Sequence, residues 1–181
     1  MNPRRRSTSE AVGAAGGPGK PKGSAPNSIP WPPIIYVAAT AAAVILNQVR
    51  PLGGTPPWAY RAAGLAVMAA GFALDCSAML TMRRQHANIL PHRAATSLVT
   101  TGPFSLSRNP IYLGNTVMLL GAAATFANAW FLVVAPFAVG AVTRLAIRRE
   151  ERHMGETFGA AWRDYAGRVP RWLRWRLGSG A

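Results

Sequence analysis

Four apolar runs, separated by basic segments, dominate the pattern of hydrophobic and polar positions. They cover Ile34–Leu46 (Trp31–Val49 with its flanks), Ala62–Met82, Ile111–Ala127 and Ala129–Ile147. Each run is roughly 17–21 residues long with its flanks, which is about the length of a helix that crosses a ~30 Å hydrocarbon core. A soluble bundle would show a polar face on each helix, yet Phe131–Val142 carries no charge. The pattern predicts an all-α, polytopic membrane protein with about four transmembrane helices.

The third and fourth runs are separated only by a short connection, which predicts a helical hairpin. Its turn is Phe126–Trp130, with aromatic side chains at the depth where they favour the membrane interface. Pro110 suits the first turn of the third helix, where a missing N–H matters least. The hairpin therefore brings the Asn109-Pro110 and Glu150-Glu151 pairs to the same side of the membrane.

Basic residues cluster at the ends of the apolar runs and give the chain its charge of +14. The Val49–Tyr60 connection holds only Arg50, whereas both terminal segments and the middle loop are rich in Arg and Lys. The bias predicts an integral membrane protein, of a cell inner membrane, with both termini cytoplasmic. Because the large basic clusters adjoin apolar runs, we expect contact with the lipid bilayer and no nucleic-acid partner.

The 181 residues suffice for one domain, which we assign to residues 29–177. Residues 1–28 are rich in Gly, Pro, Ser and Arg and predict a disordered basic tail, and residues 178–181 form a short C-terminal tail. The single Cys76 excludes an intrachain disulfide and a cysteine metal site, and we expect no metal. The sequence leaves the oligomeric state open.

Two polar motifs lie where the third helix begins and the fourth ends. The first is Thr101–Gly114, and the second is the pair Glu150-Glu151. Polar groups at membrane depth are costly, so they are functional candidates by default. The helical repeat places Glu150 on a largely apolar face, which predicts that it points into a pocket, whereas Glu151 shares a face with Arg144.

Taken in order, these motifs resemble those of the isoprenylcysteine carboxyl methyltransferase and phospholipid methyltransferase superfamily of integral membrane enzymes. The resemblance covers roughly Leu98–Trp172 and depends on an ordered set: Gly102-Pro103-Phe104, Arg108-Asn109-Pro110, Tyr112-Leu113-Gly114, Glu150-Glu151, Phe158-Gly159, Tyr165 and Val169-Pro170-Arg171. It implies S-adenosyl-L-methionine as cofactor, bound where these helices reach the cytoplasmic face. It also implies a lipophilic methyl acceptor, a lipid or small molecule with a carboxylate or amine.

The resemblance also implies roles for individual residues. Cofactor contacts would come from Gly102, Asn109, Pro110, Tyr112, Leu113, Gly114, Glu150 and Glu151, and Arg108 and Arg144 would be catalytic residues that hold a carboxylate. Asn109 stands where the eukaryotic carboxyl methyltransferases usually carry His. Asn supplies a neutral donor and acceptor as His does, but it cannot act as a general base.

Two other functions remain open at this point. Sterol reductases share a related helical core, so a membrane reductase is one alternative, although it would need a nicotinamide cofactor. A non-catalytic membrane protein that binds lipid is the other.

Three further groups of residues receive structural interpretations. Trp162, Tyr165, Trp172 and Trp175, with their Arg neighbours, predict a C-terminal helix lying on the membrane. His86, His92 and His153 are interpreted as interfacial. The stripe formed by Gly64, Gly71 and Asp75 predicts a helix-packing face, with Asp75 paired to Asn47, Asn115 or Arg144.

Overall fold

The computed structural model describes residues 31–87 and 97–173. This part of the chain is 78% helical and contains no strand, which confirms the all-α class. The predicted tails at 1–28 and 178–181, together with His92 and Trp175, lie outside the described residues.

The helices follow the predicted runs closely. They are α1 (Trp31–Val49), α2 (Trp58–Arg84), α3 (Pro110–Thr125), α4 (Trp130–Val142) and α5 (Arg148–Arg168), with a 3-10 turn at Gly102–Ser105 and a π-helical turn at Thr143–Ile147 that joins α4 to α5. Three stretches are long and apolar enough to cross a membrane: α1, α2 and the continuous Trp130–Arg168 helix. The 16 residues of α3 extend only about 24 Å, so the third predicted span is shorter than the others.

Glycines hold α2 against α3 at two levels seven residues apart. A Cβ on Gly71 would lie 2.6 Å from the carbonyl oxygen of Gly114, and one on Gly64 would lie 2.7 Å from that of Gly121. Because side chains cannot approach backbone so closely, glycine lets the two helices pack backbone to backbone. The structure therefore confirms the predicted packing face.

Asp75 lies in this α2–α3 contact and is only 7% exposed. Of the three partners that the sequence left open, Asn115 is the one observed: its Nδ2 donates to Asp75 Oδ2 at 3.0 Å. Asp75 Oδ1 packs against Gly114, where a Cβ would collide with it. Gly114 thus makes room for a buried carboxylate.

The predicted hairpin is present, and its turn is tied to the rest of the molecule. Asn128 is buried and donates from Nδ2 to the carbonyl oxygen of Ala43 at 3.0 Å. The backbone N–H of Ala129 donates to Leu52 O at 2.9 Å. The α1–α2 connection and the α3–α4 turn therefore lie at one end of the bundle, and the beginning of α3 lies at the other.

A second packed layer forms between α1 and α4. Its buried core includes Tyr36, Ala43, Leu119, Phe131, Val134, Ala138, Val142 and Ile147. In a bilayer, such a face gains mainly from close van der Waals packing. Among the described residues, α1 and α2 make almost no contact with each other, although both lie beside α3.

The last helix, α5, is broken at Gly159, whose φ of 52° and ψ of −115° are not helical. Side chains with a Cβ rarely adopt this conformation, so glycine is required at the break. Beyond it the chain turns back, and Trp162 Cδ1 comes to lie 3.5 Å from where a Cβ on Gly155 would be. The break directs the aromatic residues of the second half of α5 toward the beginning of α3.

Candidate functional site

A cavity of about 520 Å³ opens between the start of α1, the end of α2, the start of α3 and α5. Its volume is ordinary for a small-molecule site. The wall formed by α1 and α2 is mainly apolar, with Pro32, Pro33, Met79 and Met82, but it also includes Tyr36 and Asp75. The wall formed by the start of α3 and by α5 is polar and aromatic, with Arg108, Asn109, Tyr112, Glu150, Glu151, His153, Trp162 and Tyr165. The two motifs singled out in the sequence therefore meet in one cavity.

Local structure at the start of α3 fixes where the polar wall begins. Gly102, at φ 58°, starts the 3-10 turn, and Pro110 is the first residue of α3, as the sequence predicts. Between them the backbone N–H of Asn109 donates to Ser107 Oγ at 3.1 Å. This hydrogen bond and the helix start at Pro110 keep Arg108 and Asn109 on the cavity side.

Glu151 forms ion pairs with two guanidinium groups, those of Arg108 and Arg171. Its Oε1 lies 3.1 Å from Arg108 Nη1, and Arg171 Nε donates to the same oxygen at 3.0 Å. Hydrogen bonding to Glu151 raises the pKa of Arg171, so this group stays cationic. The carboxylate of Glu151 therefore links α5 to the beginning of α3 and to the segment that follows α5.

The segment Val169–Arg171, called here the C-terminal segment, is also bound to the start of α3 through its backbone. Arg108 N–H donates to Pro170 O at 2.9 Å, and Asn109 Nδ2 donates to Arg171 O at 2.9 Å. A neutral N–H is all that the second bond requires, and Asn and His can both supply one. Asn109 therefore holds this segment in place although it lacks an imidazole.

Glu150 is held differently from its neighbour. Tyr112 Oη donates to Glu150 Oε1 at 2.8 Å, and both residues line the cavity. Tyr112 O in turn accepts from Tyr36 Oη at 2.8 Å. Glu150 thus places a carboxylate on the cavity wall, as its apolar helix face predicts.

Aromatic side chains and two unpaired nitrogens complete the polar wall. Arg108 Cζ lies 5.7 Å from the ring centroid of Trp162, and Tyr165 Oη donates to Phe104 O at 2.7 Å. Arg108 Nε and His153 Nε2 are buried and have no hydrogen-bond partner among the described residues. A buried polar atom without a partner is costly, and both residues line the cavity.

Four of the predicted site residues lie elsewhere. Gly114 packs against Gly71 and Asp75, Gly102 faces Thr81, and Leu113 does not line the cavity. Arg144 is exposed and also lies outside the cavity. The prediction for Arg144 assumed an unbroken α-helix as far as Glu151, but the π-helical turn Thr143–Ile147 changes the register between them.

Several residues on or beside the cavity wall were not predicted as site residues: Asp75, His153, Trp162, Tyr165 and Arg171. Trp162 and Tyr165 were interpreted as membrane-surface residues, but both line the cavity because α5 turns back at Gly159. Trp172 packs against the core. His153, interpreted as interfacial, is buried. The Val169-Pro170-Arg171 motif was the sequence signal from which Arg171 could have been predicted as a site residue.

Residues 59–161 of the chain match a protein-family model described as phospholipid methyltransferase. This match covers more than half of the chain and includes α2, α3, α4 and most of α5. It confirms the superfamily resemblance found in the motifs.

Two curated proteins are 33% identical to this chain over 78 residues. They are a nickel-cobalt-cadmium resistance protein of Alcaligenes xylosoxydans xylosoxydans and a cobalt-zinc-cadmium resistance protein of Cupriavidus metallidurans. Each match covers 43% of this chain and 36% of the relative, so the chain spans about a third of the length of these relatives. No solved structure matches the chain.

Proposed function

The chain belongs to the phospholipid methyltransferase family, and we propose that it transfers a methyl group from S-adenosylmethionine to a lipophilic small molecule or lipid. The observation that carries the proposal is the two-sided cavity. Its charged and aromatic wall suits a polar cofactor, and its apolar wall of Pro32, Pro33 and Met residues suits the acceptor. We place the reaction at the cytoplasmic face, where the positive-inside rule puts this end of the helices.

The residues on the polar wall fit the charged groups of this cofactor. Arg108 Nε is unpaired among the described residues and would hold the cofactor's carboxylate, since a guanidinium binds carboxylate with directed hydrogen bonds. Glu150 would accept from the α-ammonium group or from a ribose hydroxyl. The rings of Trp162, Tyr165 and Phe104 line the same cavity and offer faces for the adenine and for the sulfonium charge.

S-adenosylmethionine, when bound, supplies a methyl group already activated by the sulfonium. The protein then needs to position the acceptor in line with that group and to exclude water, and positioning can supply much of the rate. Arg108 is fixed by Glu151 and by the ring of Trp162. The buried hydroxyl of Tyr165 is fixed by Phe104. Such preorganised side chains suit a reaction that depends on alignment.

The acceptor group decides whether a proton must be removed. A carboxylate is already deprotonated, whereas an ammonium must lose a proton before it can attack. Asn109 cannot accept that proton, but His153 lines the cavity with Nε2 unpaired among the described residues. We assign His153 as the proton acceptor for amine substrates, in the role that Asn109 lacks.

Binding of S-adenosylhomocysteine to the purified full chain tests the proposed function directly. Calorimetry in detergent or nanodiscs should show one site, and turnover of radiolabelled S-adenosylmethionine should follow with lipophilic amines or acids. Binding of NADPH in place of S-adenosylhomocysteine would support the reductase alternative. Binding of neither cofactor would leave a non-catalytic lipid-binding protein.

The names of the two curated relatives refer to metal resistance, and we do not extend that role to this chain. Within the two described ranges, no group of three His, Cys, Asp or Glu residues is arranged to hold a metal ion.

A further inference from the structure

The deep end of the cavity is polar, although most of the wall formed by α1 and α2 is apolar. Tyr36 is the last residue of α1 that lines the cavity, Asp75 is the first of α2, and Asn115 is the last of α3. We call these three residues the cavity floor. At about 1.5 Å per helical residue, Asp75 lies roughly 14 Å from the end of α2 at Arg84, so the floor is at membrane depth.

Asp75 is a buried carboxylate that forms no ion pair within the described ranges. Its Oδ2 accepts one hydrogen bond, from Asn115 Nδ2 at 3.0 Å, and its Oδ1 accepts none from the described residues. The basic side chains of the cavity, Arg108 and His153, belong to the wall formed by the start of α3 and by α5. An ionisable group at this depth without a counter-charge is costly, so it is a functional candidate.

The residues around Asp75 position the carboxylate but do not neutralise it. Gly114 lacks the Cβ that would collide with Oδ1, and Asn115 donates a neutral N–H. The hydroxyl of Tyr36 donates to Tyr112 O at 2.8 Å, so its proton is already used. Since Asp75 lines the cavity, a bound ligand can supply the counter-charge that these neighbours do not.

We infer that Asp75 binds the ammonium group of the methyl acceptor and is the residue that selects amines over carboxylic acids. The inference rests on the proposed function and decides between the two acceptor classes that the resemblance leaves open. An ammonium would give Asp75 a counter-charge, and such a pair is stronger in apolar surroundings than in water. A carboxylate acceptor would meet a like charge, which selects against it. Packing of α2 against α3 alone is the competing role of Asp75.

The movement of charge in the two reactions supports this selection. With an amine, His153 takes a proton from the ammonium, and the nitrogen lone pair then forms a bond to the methyl carbon. The bond from that carbon to sulfur breaks and leaves its electron pair on sulfur, so the positive charge passes to the acceptor nitrogen. A fixed carboxylate beside a developing positive charge stabilises the transition state. A carboxylate acceptor instead becomes a neutral ester and gains nothing from Asp75.

Binding of two matched probes tests the inference without methyl transfer. Octylamine and octanoate have the same number of carbon atoms and opposite charges near neutral pH. Calorimetry uses the purified full chain in nanodiscs of zwitterionic lipid, with empty nanodiscs as the blank. Octylamine should bind about tenfold more tightly than octanoate, as expected for one charge-assisted contact. Asp75→Asn keeps the size of the side chain and an oxygen that can accept from Asn115, and it should abolish this preference.

Turnover of radiolabelled S-adenosylmethionine provides the second arm. In Asp75→Asn, kcat/KM for octylamine should fall on the order of tenfold, whereas kcat/KM for octanoate should stay the same or rise. A purely structural role would lower both by the same factor. The control is Asp164→Asn, which removes a carboxylate at an exposed position of α5 outside the cavity and should behave as the parent protein. If Asp75→Asn does not fold, Asp75→Ser removes the same charge with a smaller side chain.

Each result decides one question. Equal affinity of the parent protein for octylamine and octanoate would overturn the inference. An unchanged preference in a folded Asp75→Asn protein would overturn it as well and leave Asp75 with a packing role only. Failure of the parent protein to bind S-adenosylhomocysteine would instead overturn the proposed function, and an amine preference that depends on Asp75 would still support the ammonium site.

Discussion

At the scale of single residues, Glu150 and Glu151 show how adjacent side chains acquire different roles. Glu150 accepts from the hydroxyl of Tyr112 on the cavity wall, whereas Glu151 is paired with Arg108 and Arg171. The helical repeat separates the two faces, and Glu150 was predicted to point into a pocket on that ground. The partners of Glu151 could not be predicted in this way, because Arg171 follows the non-helical break at Gly159.

Glu150→Gln should weaken cofactor binding with little effect on folding. Gln keeps an oxygen that accepts from Tyr112 but removes the charge. Loss of one charge-assisted hydrogen bond costs on the order of 1.5–3 kcal/mol, so the Kd for S-adenosylhomocysteine measured by calorimetry should rise at least tenfold. Glu156→Gln, at an exposed position of the same helix, is the control. Unchanged affinity in a folded Glu150→Gln protein would remove Glu150 from the site.

Glu151→Gln should instead reduce stability. The change leaves the guanidinium of Arg108, whose side chain is 15% exposed, without its anion. Breaking one partner of a buried pair is costly, and partial exposure of Arg171 reduces the effect, so we expect a loss on the order of 2 kcal/mol. Thermal unfolding in detergent measures it. A melting temperature equal to that of Glu150→Gln would contradict a structural role for this ion pair.

His153→Gln should separate acceptor classes. Gln places a neutral amide near the position of the imidazole Nε2 but cannot take up a proton near neutral pH. Turnover of lipophilic amines should therefore fall by about 10²-fold, while turnover of lipophilic carboxylic acids should stay within a few-fold of the parent. Equal loss for both classes, with retained S-adenosylhomocysteine binding, would assign His153 to positioning only. Hydrophobic periodicity did not mark His153 as a site residue, since its neighbours on α5 are mainly charged.

At the scale of elements, periodicity predicts where helices lie but not where their register changes. The apolar runs predicted α1 to α4 closely, and the stripe of Gly64, Gly71 and Asp75 predicted a packing face on α2, which lies against α3. Arg144 was misplaced because no sequence pattern marks the π-helical turn that separates it from Glu151. Trp162 and Tyr165 were misplaced because Phe158-Gly159 was taken as part of a motif and not as a break.

Gly159→Ala should damage the site through the backbone. At φ 52° and ψ −115° an added Cβ is strained by about 1–3 kcal/mol, and straightening α5 would withdraw Trp162 and Tyr165 from the cavity. We expect a lower melting temperature together with weaker S-adenosylhomocysteine binding. The control is Gly167→Ala, at a helical position where a Cβ meets nothing within 4 Å. If both variants behave alike, the break is not required.

At the scale of the whole molecule, the site gathers segments from across the chain. Pro32 and Tyr165 line the same cavity although they are more than a hundred residues apart. The sequence predicted the meeting of the Arg-Asn-Pro and Glu-Glu motifs because a hairpin joins them. It did not predict the contributions of α1 and α2, because nothing in a single sequence fixes how separate membrane helices are arranged around α3.

The orientation of the bundle in the membrane is the remaining whole-molecule prediction. The α1–α2 connection and the α3–α4 turn meet at one end, where Ala129 N–H donates to Leu52 O, and the positive-inside rule places that end away from the cytoplasm. In a Cys76→Ala background, cysteines at the exposed positions Gly54 and Ala129 should react with an impermeant maleimide from the outside. Cysteines at exposed Ser105 and Gly167 should react only after permeabilisation. Asn128 is unsuitable as a labelling position because its side chain is buried and bonded to Ala43. Labelling of Ala129→Cys from the cytoplasm alone would invert the bundle and move the proposed cofactor site to the outer face, where a cytoplasmic methyl donor would not reach it.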